Sequence, residues 1–192
     1  MIKVAITGNI ASGKSAVQSV LIDLGYKVLD TDEVSHRLLT VSNPDLYSMF
    51  KNYDVFENGE FSREKLGKLV FYDTVLKRAL ESVLYPQIED CIKEFYSLNN
   101  REEVVFIAIP LLFEAGMEHL FDKILFVYAN DDIRLERLIK RNSYDTEYAK
   151  LRMSSQISQE QKIEKSDYII RNNDTIDKLS YEVKRVLKFL RV

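Results

Sequence analysis

Residues 8–15 form a pattern of glycines, a lysine and a serine that suits the binding of a triphosphate. The segment reads Gly-Asn-Ile-Ala-Ser-Gly-Lys-Ser. Its glycines allow the tight turn that points several backbone N–H groups at one anion. We expect Lys14 to contact the β- and γ-phosphates and Ser15 to contact Mg²⁺, while the helix that opens here directs its positive end at the phosphates. The pattern predicts the binding of ATP or GTP.

The residues on either side place this pattern between a strand and a helix. Residues 2–7 are a short apolar and β-branched run typical of a buried strand. After the pattern, apolar residues recur at helical spacing, namely Ala16, Val17, Val20, Leu21 and Leu24. A phosphate loop works in this context. The candidate nucleotide contacts are Gly8, Asn9, Ile10, Ala11, Ser12, Gly13, Lys14, Ser15 and Ala16.

Two carboxylates lie where the second apolar run ends, at Asp30 and Asp32. In a right-handed strand–helix–strand unit this run is expected to lie beside the first strand, with its end near the phosphate loop. A kinase that acts on a hydroxyl needs a group that accepts the hydroxyl proton, and Asp32 is the candidate. The alternative is a helix N-cap or a surface acid.

The third apolar run leads into Pro110-Leu111-Leu112-Phe113-Glu114. It carries no Asp at the point where a typical ATPase holds an Mg²⁺-anchoring acid. Glu114 either serves that end of the site or caps the turn before Gly116, and the spacing leaves both interpretations open.

Three arginines follow the fourth apolar run at spacings of three and four residues, so that they share one broad helix face: Arg134, Arg137 and Arg141. A solvated basic face is one interpretation. In a chain with a phosphate loop, such a row also suits a lid that neutralises phosphoryl charge and excludes water. We favour the lid, with Arg137 and Arg141 as the stronger candidates.

Short apolar runs alternate with helical segments, which is typical of a parallel sheet covered on both faces. The runs are 2–7, 27–30, 104–109, 124–128 and 168–170. We expect an α/β fold of the P-loop NTPase type, a doubly wound parallel sheet of about five strands in one domain over residues 1–192. Within it, residues 33–100 are expected to form a helical acceptor-binding subdomain, and residues 131–165 a lid.

Composition narrows the possible partners. The net charge is −3 and the pI is about 5.6, which gives no bulk attraction to nucleic acid. A single cysteine, Cys91, excludes an intrachain disulfide. No leader segment and no apolar run of roughly 20 residues is present, so we expect a soluble cytoplasmic protein without a membrane partner. The oligomeric state stays open.

Further segments follow the phosphate loop in a specific order. They are Val28-Leu29-Asp30-Thr31-Asp32, Tyr85-Pro86, Pro110-Leu111-Leu112-Phe113-Glu114, Arg137 and Arg141, and Asp167-Tyr168-Ile169-Ile170-Arg171-Asn172-Asn173. Together with the loop, these segments resemble the dephospho-CoA kinase family from Lys3 to about Asn173. Each segment is weakly specific alone, whereas their order and spacing are specific.

The resemblance implies transfer of the γ-phosphoryl group of ATP, with Mg²⁺, to the 3′-hydroxyl of the ribose of dephospho-CoA, the last step of coenzyme A synthesis. It implies that Asp32 is the general base, that Lys14 and Ser15 bind phosphate and Mg²⁺, and that Arg141 and Arg137 reach over the phosphates. It places Asn172 by the adenine. Near the acceptor it places Asp32, Arg37, Pro110, Leu111, Leu112 and Glu114.

The sequence departs from the family pattern at three places. Asn9 replaces a common second glycine, Tyr85 replaces a common histidine, and residues 159–162 occupy a stretch where arginines are frequent. Two other classes of protein are alternatives to this family. One is another small P-loop kinase, acting on a nucleoside monophosphate or a small hydroxylated metabolite. The other is a nucleotide-dependent switch or binding module, which would need a GTP-selecting Asn-Lys-x-Asp run that the sequence lacks.

Overall fold

The computed structural model describes residues 1–190, which divide into two units. The first unit combines residues 1–30 with the chain from residue 98 onward, and the second comprises Thr31–Ser97. In chain order the elements are β1 (Ile2–Thr7), α1 (Lys14–Asp23), β2 (Lys27–Asp30), α2 (Thr31–Leu38), α3 (Pro44–Phe50), β3 (Phe56–Glu57), β4 (Glu60–Phe61), α4 (Arg63–Tyr72), α5 (Thr74–Leu98), β5 (Val104–Ala108), β6 (Lys123–Tyr128), α6 (Asp131–Asn142), α7 (Thr146–Ser154), α8 (Gln159–Glu164), β7 (Tyr168–Arg171) and α9 (Ile176–Leu190).

A parallel five-stranded sheet forms the centre of the first unit, in the order β2-β5-β1-β6-β7. The central strand β1 pairs on both edges, so that Ala5 is opposite Ile107 of β5 and Ile124 of β6. Helices flank this sheet, as continuous apolar strands require. The predicted fold class is thereby confirmed.

The expectation that β2 lies beside β1 is wrong, because β5 lies between them. All five residues of β5 are buried, whereas β2 begins with an exposed Lys27 and continues with half-buried residues. The most apolar strand gains most from a place inside the sheet, and a strand that starts with a lysine suits an edge. Asp30 therefore pairs with Ala108 of β5 at the end of the sheet.

Helices α1 and α9 cover one face of this sheet. Their buried residues form one core with those of the strands, and burial of each large apolar side chain contributes about 1.5–3 kcal/mol. The amphipathic pattern after the phosphate loop thus anchors α1 and fixes where its first turn lies. The core comprises Val4, Ile6, Val17, Val20, Leu21, Val104, Phe106, Ala108, Leu125, Val127, Ile170, Leu179, Val183, Val186, Leu187 and Leu190.

The second unit contains α2 to α5 and a small hairpin. The sequence predicted helices throughout this excursion, and the structure adds the two-residue strands β3 and β4. Their connection, Asn58-Gly59, has positive φ at both residues (51° and 84°), as the tight hairpin turn of this dipeptide requires. The buried core of the unit is its own and comprises Leu46, Phe50, Val55, Phe61 and Leu66.

Three helices, α6, α7 and α8, lie between β6 and β7. Helix α6 ends where Ser143 adopts a left-handed conformation with φ of 53°. Helix α7 begins after Asp145, whose side chain accepts a hydrogen bond from Tyr148 N, and ends at Ser154. We call residues 155–158, which join α7 to α8, the strap.

None of the helices within residues 1–190 combines the length and the hydropathy that a membrane crossing demands. The longest, α5, has 25 residues, but polar and charged residues occur along its whole length.

Candidate active site

The segment between β1 and α1 forms a tight loop whose conformation depends on two left-handed residues. Ala11 has φ of 62° and Gly13 has φ of 91°. Ser12 N donates to Asn9 O at 3.0 Å, which closes the turn between them. A non-glycine residue with positive φ costs about 1–2 kcal/mol, so Ala11 keeps this conformation because its surroundings hold it.

The first turn of α1 carries no capping side chain and no acidic residue of its own. Gly13 is the N-cap of the helix. Lys14 and Ser15 are the first two helical residues, and the Ser15 residue is exposed. An anion at this end would meet backbone N–H groups, the helix dipole and the lysine together.

A carboxylate from the end of β2 orients Lys14. Lys14 Nζ lies 3.9 Å from Asp30 Oδ2, and the lysine side chain is 12% exposed. Gln18, one turn further along α1, donates from Nε2 to the same Asp30 oxygen at 2.6 Å. Asp30 therefore lies near the loop, as the sequence predicted, although its strand β2 is not adjacent to β1.

Gly8 and Gly13 are closely surrounded by other atoms, so that a Cβ at either position would collide with a neighbour. A Cβ added to Gly8 would lie 2.7 Å from the backbone oxygen of Val127. One added to Gly13 would collide with the side-chain amide of Asn172. That amide donates to Ser12 O at 2.8 Å, while Asn172 N donates to Tyr128 O, so the end of β7 supports the loop directly.

We predict that Gly13→Ala lowers the free energy of unfolding by about 2–5 kcal/mol, because an alanine is strained at this positive φ and displaces the amide of Asn172. Urea denaturation measures the change. The matched control is Gly67→Ala, in helix α4, where an added Cβ meets nothing within 4 Å; we expect a gain of about 0.5–1 kcal/mol there. Equal stability of the two variants would contradict the assigned loop geometry.

The strap contacts the outer side of the phosphate loop. Gln156 Oε1 accepts a hydrogen bond from Ile10 N at 2.7 Å, and Ile157 O accepts one from Asn9 Nδ2 at 2.9 Å. Ile157 N in turn donates to Glu114 Oε1 at 3.2 Å. The two bonds to the loop join residues 146 and 148 positions apart, and the bond to Glu114 joins residues 43 apart, so sequence spacing contains no signal for them.

The three arginines of α6 occupy different environments. Arg134 is buried, with 3% of the residue exposed, and its Nε donates to Ile10 O at 3.0 Å. Arg137 is half-buried and its NH1 lies 3.5 Å from Ser12 O. Arg141 is exposed and donates to the neighbouring Asn142. The structure thus brings Arg134 and Arg137 to the loop, and Arg141 is the arginine at the solvent-exposed end of the row.

Burial lowers the pKa of Arg134, and the carboxylate of Asp131 opposes this shift. Arg134 NH1 donates to Asp131 Oδ1 at 2.7 Å. A guanidinium ordinarily titrates far above neutral pH, so Arg134 stays charged at pH 7.

Glu114 neither caps the turn before Gly116 nor is exposed. Gly116 N donates to the backbone oxygen of Phe113, and Glu114 instead forms a buried ion pair with Lys162 of α8. Glu114 Oε1 and Lys162 Nζ lie 2.8 Å apart, and their side chains are 19% and 0% exposed. Lys162 lies in the stretch where the sequence departs from the family pattern. It is buried, and it pairs with Glu114, which follows β5.

We predict that Lys162→Met lowers the free energy of unfolding by about 3–5 kcal/mol, because it leaves the Glu114 carboxylate buried without a counter-charge. The double variant Glu114→Gln/Lys162→Met should recover part of this loss. Urea denaturation again measures it. Lys123→Met serves as the control, since it removes an ion pair of the same length whose side chains are more exposed, at 42% and 33%. An equal loss in both lysine variants would show that the pair is not specially buried.

The remaining predicted residues lie as follows. Asp32 and Arg37 lie in the first and last turns of α2, and both are exposed. The oxygen of Pro110 accepts from the Thr7 hydroxyl at 3.3 Å. Leu111 is half-buried, whereas Leu112 is fully buried, so any contact of Leu112 with a ligand is through its backbone. Ala16 is half-buried against the core of the first unit.

The donor groups present fit a magnesium ion that is bound mainly through substrate phosphates. Within residues 1–190, no three His, Cys, Asp or Glu side chains come together in a cluster that could hold a metal. The exposed Ser15 hydroxyl is the first-turn oxygen donor beside the phosphate-binding backbone. Mg²⁺ usually retains several waters and takes few protein ligands in such sites, so one serine and the phosphates suffice.

Sequence reasoning did not find Gln156, Gln159, Asp131 and Gln18 as residues of this region. Each acts through one or two hydrogen bonds that form only in the folded chain, and none lies within a recognisable motif. Arg134 was found, but as the weakest of the three lid candidates.

The parallel sheet, the phosphate loop with its lysine and the arginine-bearing helix after β6 define a phosphate-loop kinase. The family model of dephospho-CoA kinase matches residues 2–178. The chain therefore belongs to the dephospho-CoA kinase family, whose members are ATP-dependent kinases. The family and the enzyme class expected from the sequence are confirmed.

The relatives cover nearly the whole chain. A dephospho-CoA kinase of Helicobacter pylori is 36% identical over 190 residues, which are 97% of this chain and 96% of the relative. A solved dephospho-CoA kinase of Campylobacter jejuni is 29% identical with a TM-score of 0.72, covering 98% of this chain and 96% of its own. A solved protein of Thermus thermophilus is 34% identical with a TM-score of 0.83, covering 98% and 97%.

A more distant likeness concerns the fold alone. A shikimate kinase of Acinetobacter baumannii, solved with shikimate, is 14% identical with a TM-score of 0.57, and covers 99% of this chain and 93% of its own. It shows that the arrangement of strands and helices is shared among phosphate-loop kinases.

Proposed function

We propose that this protein transfers the γ-phosphoryl group of ATP to the 3′-hydroxyl of the ribose of dephospho-CoA, which yields CoA and ADP. The observation that carries the proposal is the family match over residues 2–178 together with relatives that align along almost their entire length. The intact phosphate loop supports it independently, because its lysine, serine and helix N-terminus are those that ATP requires.

The chain's own residues account for the main parts of the reaction. Lys14 and the first turn of α1 hold the β- and γ-phosphates, and Ser15 provides a hydroxyl for Mg²⁺. When bound, Mg²⁺ neutralises charge on the phosphate oxygens. Arg137 and Arg141 lie on the helix that follows β6 and supply positive charge to the phosphoryl group during transfer. Closure of residues 131–165 as a lid excludes water, which would otherwise compete with the acceptor.

We propose Asp32 as the general base. It accepts the proton of the 3′-hydroxyl while the 3′-oxygen forms a bond to the γ-phosphorus, and the bond from that phosphorus to the oxygen of ADP breaks. The second unit, with Arg37 of α2, is proposed to bind the acceptor, as are the backbone and side chains of residues 110–114. From the family resemblance, Asn172 is proposed to lie by the adenine of ATP; its amide donates to Ser12 O of the loop.

A phosphoryl-transfer assay tests the assignment of the acceptor. ATP and Mg²⁺ are offered with dephospho-CoA, AMP, CMP, GMP and shikimate, and the products are resolved by mass. We expect CoA as the product. A phosphorylated nucleotide or sugar acid instead would keep the fold and mechanism but overturn the acceptor, and ATP binding without transfer to any acceptor would favour a nucleotide-dependent binding module.

A further inference from the structure

Two successive peptide bonds of the phosphate loop are held from outside it. Ile10 N, which belongs to the peptide of residues 9–10, donates to Gln156 Oε1 at 2.7 Å. Ile10 O, which belongs to the peptide of residues 10–11, accepts from Arg134 Nε at 3.0 Å. Neither peptide can rotate without breaking a hydrogen bond to the strap or to α6.

These contacts lie next to the strained residue of the loop. Ala11, directly after Ile10, has φ of 62°. A non-glycine residue in this region persists when its neighbours determine the backbone on either side. Ser12, which follows, accepts a hydrogen bond from Asn172, and Gly13 is the N-cap of α1. The two bonds at Ile10 therefore hold the other flank of the strained residue.

Arg134 is itself held rigidly. Its NH1 donates to Asp131 Oδ1 at 2.7 Å, and Gln159 Nε2 donates to the same oxygen at 2.9 Å. The Gln159 amide also donates to Ala129 O at 3.0 Å, at the end of β6. With 3% of the residue exposed, Arg134 is ordered within the protein and its Nε points at the loop backbone. It differs in this from Arg141, which is exposed at the other end of the helix.

The strap has a second attachment that fixes its distance from the loop. Asn9 Nδ2 donates to Ile157 O at 2.9 Å, and Ile157 N donates to Glu114 Oε1, which also pairs with the buried Lys162. Gln156 is thus placed by bonds on its C-terminal side, independently of its own bond to Ile10.

We propose that Arg134 and Gln156 are positioning residues that hold the Ile10 peptides, and through them the phosphate loop, in the conformation that binds ATP. The proposal rests on the proposed function in taking ATP as the ligand of the loop. Neither residue needs to contact the nucleotide, because each acts through the backbone on either side of Ala11. An increase in ATP affinity is the expected benefit, since a loop that is already ordered loses less conformational entropy on binding.

The test measures the order of the loop and the affinity for ATP in separate experiments. Gln156→Leu removes the acceptor, Gln156→Glu retains one, and Arg134→Met removes the donor while retaining much of the side-chain volume. Lys140→Ala, an exposed change on α6, is the control. NMR measures the rate of hydrogen exchange at the Ile10 N–H in the nucleotide-free protein. Calorimetry gives the Kd for ATP with Mg²⁺.

We expect Ile10 to be protected in the wild type and in Gln156→Glu, and to exchange at least about tenfold faster in Gln156→Leu. The Kd for ATP should rise about 5- to 20-fold in Gln156→Leu and Arg134→Met, with the KM for dephospho-CoA unchanged. A lower thermal midpoint with an unchanged Kd would indicate a merely structural role and would overturn the proposal. So would an unprotected Ile10 amide in the wild type.

The Gln156 variants can test the proposal without the Arg134 variant. If Arg134→Met does not fold, comparison of Gln156→Leu with Gln156→Glu tests the positioning role alone. Exchange and ATP binding do not involve the acceptor, so failure of the wild type to form CoA would overturn the proposed function while leaving these measurements valid. Normal CoA formation with unaltered exchange and Kd in the variants would overturn the positioning role alone.

Discussion

Asp32→Asn is expected to lower kcat for the formation of CoA by about 10²- to 10⁴-fold, the usual range of a general-base contribution. The asparagine keeps the size and exposure of the side chain but cannot accept the hydroxyl proton. The Kd for ATP should stay within about twofold, because the phosphates are held by the loop, Lys14 and the start of α1 rather than by this carboxylate. Steady-state kinetics with saturating ATP and calorimetric binding of ATP measure the two quantities.

The neighbouring acid provides a matched control for this prediction. Glu33 shares the first turn of α2 with Asp32, and both residues are exposed. Glu33→Gln removes an equal charge from the same helix N-terminus, so a common effect on the helix dipole would appear in both variants. We expect near-normal kcat for Glu33→Gln. Near-normal turnover in Asp32→Asn as well would eliminate Asp32 as the base.

Lys14→Met should lower kcat/KM for ATP by about 10²- to 10³-fold, because it removes the positive charge proposed to contact the β- and γ-phosphates. Methionine retains an unbranched side chain in the first turn of α1. Gln18 continues to donate to Asp30, so we expect little change in the thermal midpoint. Initial rates over a range of ATP concentrations, with the melting temperature of the nucleotide-free protein, test both parts.

An exposed lysine on α9 controls for the loss of one positive charge from the protein as a whole. Lys184→Met should leave both the rates and the melting temperature near their wild-type values. Asp30→Asn separates the role of Lys14 from its orientation, because it keeps the ammonium group but removes its carboxylate neighbour at 3.9 Å. If Asp30→Asn matched Lys14→Met, orientation by Asp30 would account for the lysine effect. If Lys14→Met retained full kcat/KM, the loop assignment would fail.

Gly13→Ala and Lys14→Met affect adjacent residues by different physical means. The glycine variant strains the backbone and displaces the amide of Asn172, so it should reduce stability as well as ATP binding. The lysine variant leaves the backbone intact and should reduce the reaction alone. Comparison of the two separates the shape of the loop from its charge.

The sequence by itself determined the chemistry of the phosphate loop and the class of fold. Gly8, Gly13, Lys14 and Ser15 lie within eight consecutive residues, and their roles follow from local backbone freedom and charge. The five sheet strands of the first unit also appear as apolar runs, because burial on both faces requires consecutive apolar residues. Order and spacing of the short segments then indicated the family, which the comparisons confirm.

The tertiary structure decided the order of the strands and the surroundings of the loop. Strand order depends on which strand gains most from an interior place, a competition among β1, β2 and β5 that no single segment reveals. Gln156 and Ile10 are 146 residues apart, and Asn172 and Ser12 are 160 apart. A polar side chain forms such a bond only where the folded backbone brings a donor and an acceptor within reach and direction, and that geometry exists only once the sheet and helices have packed.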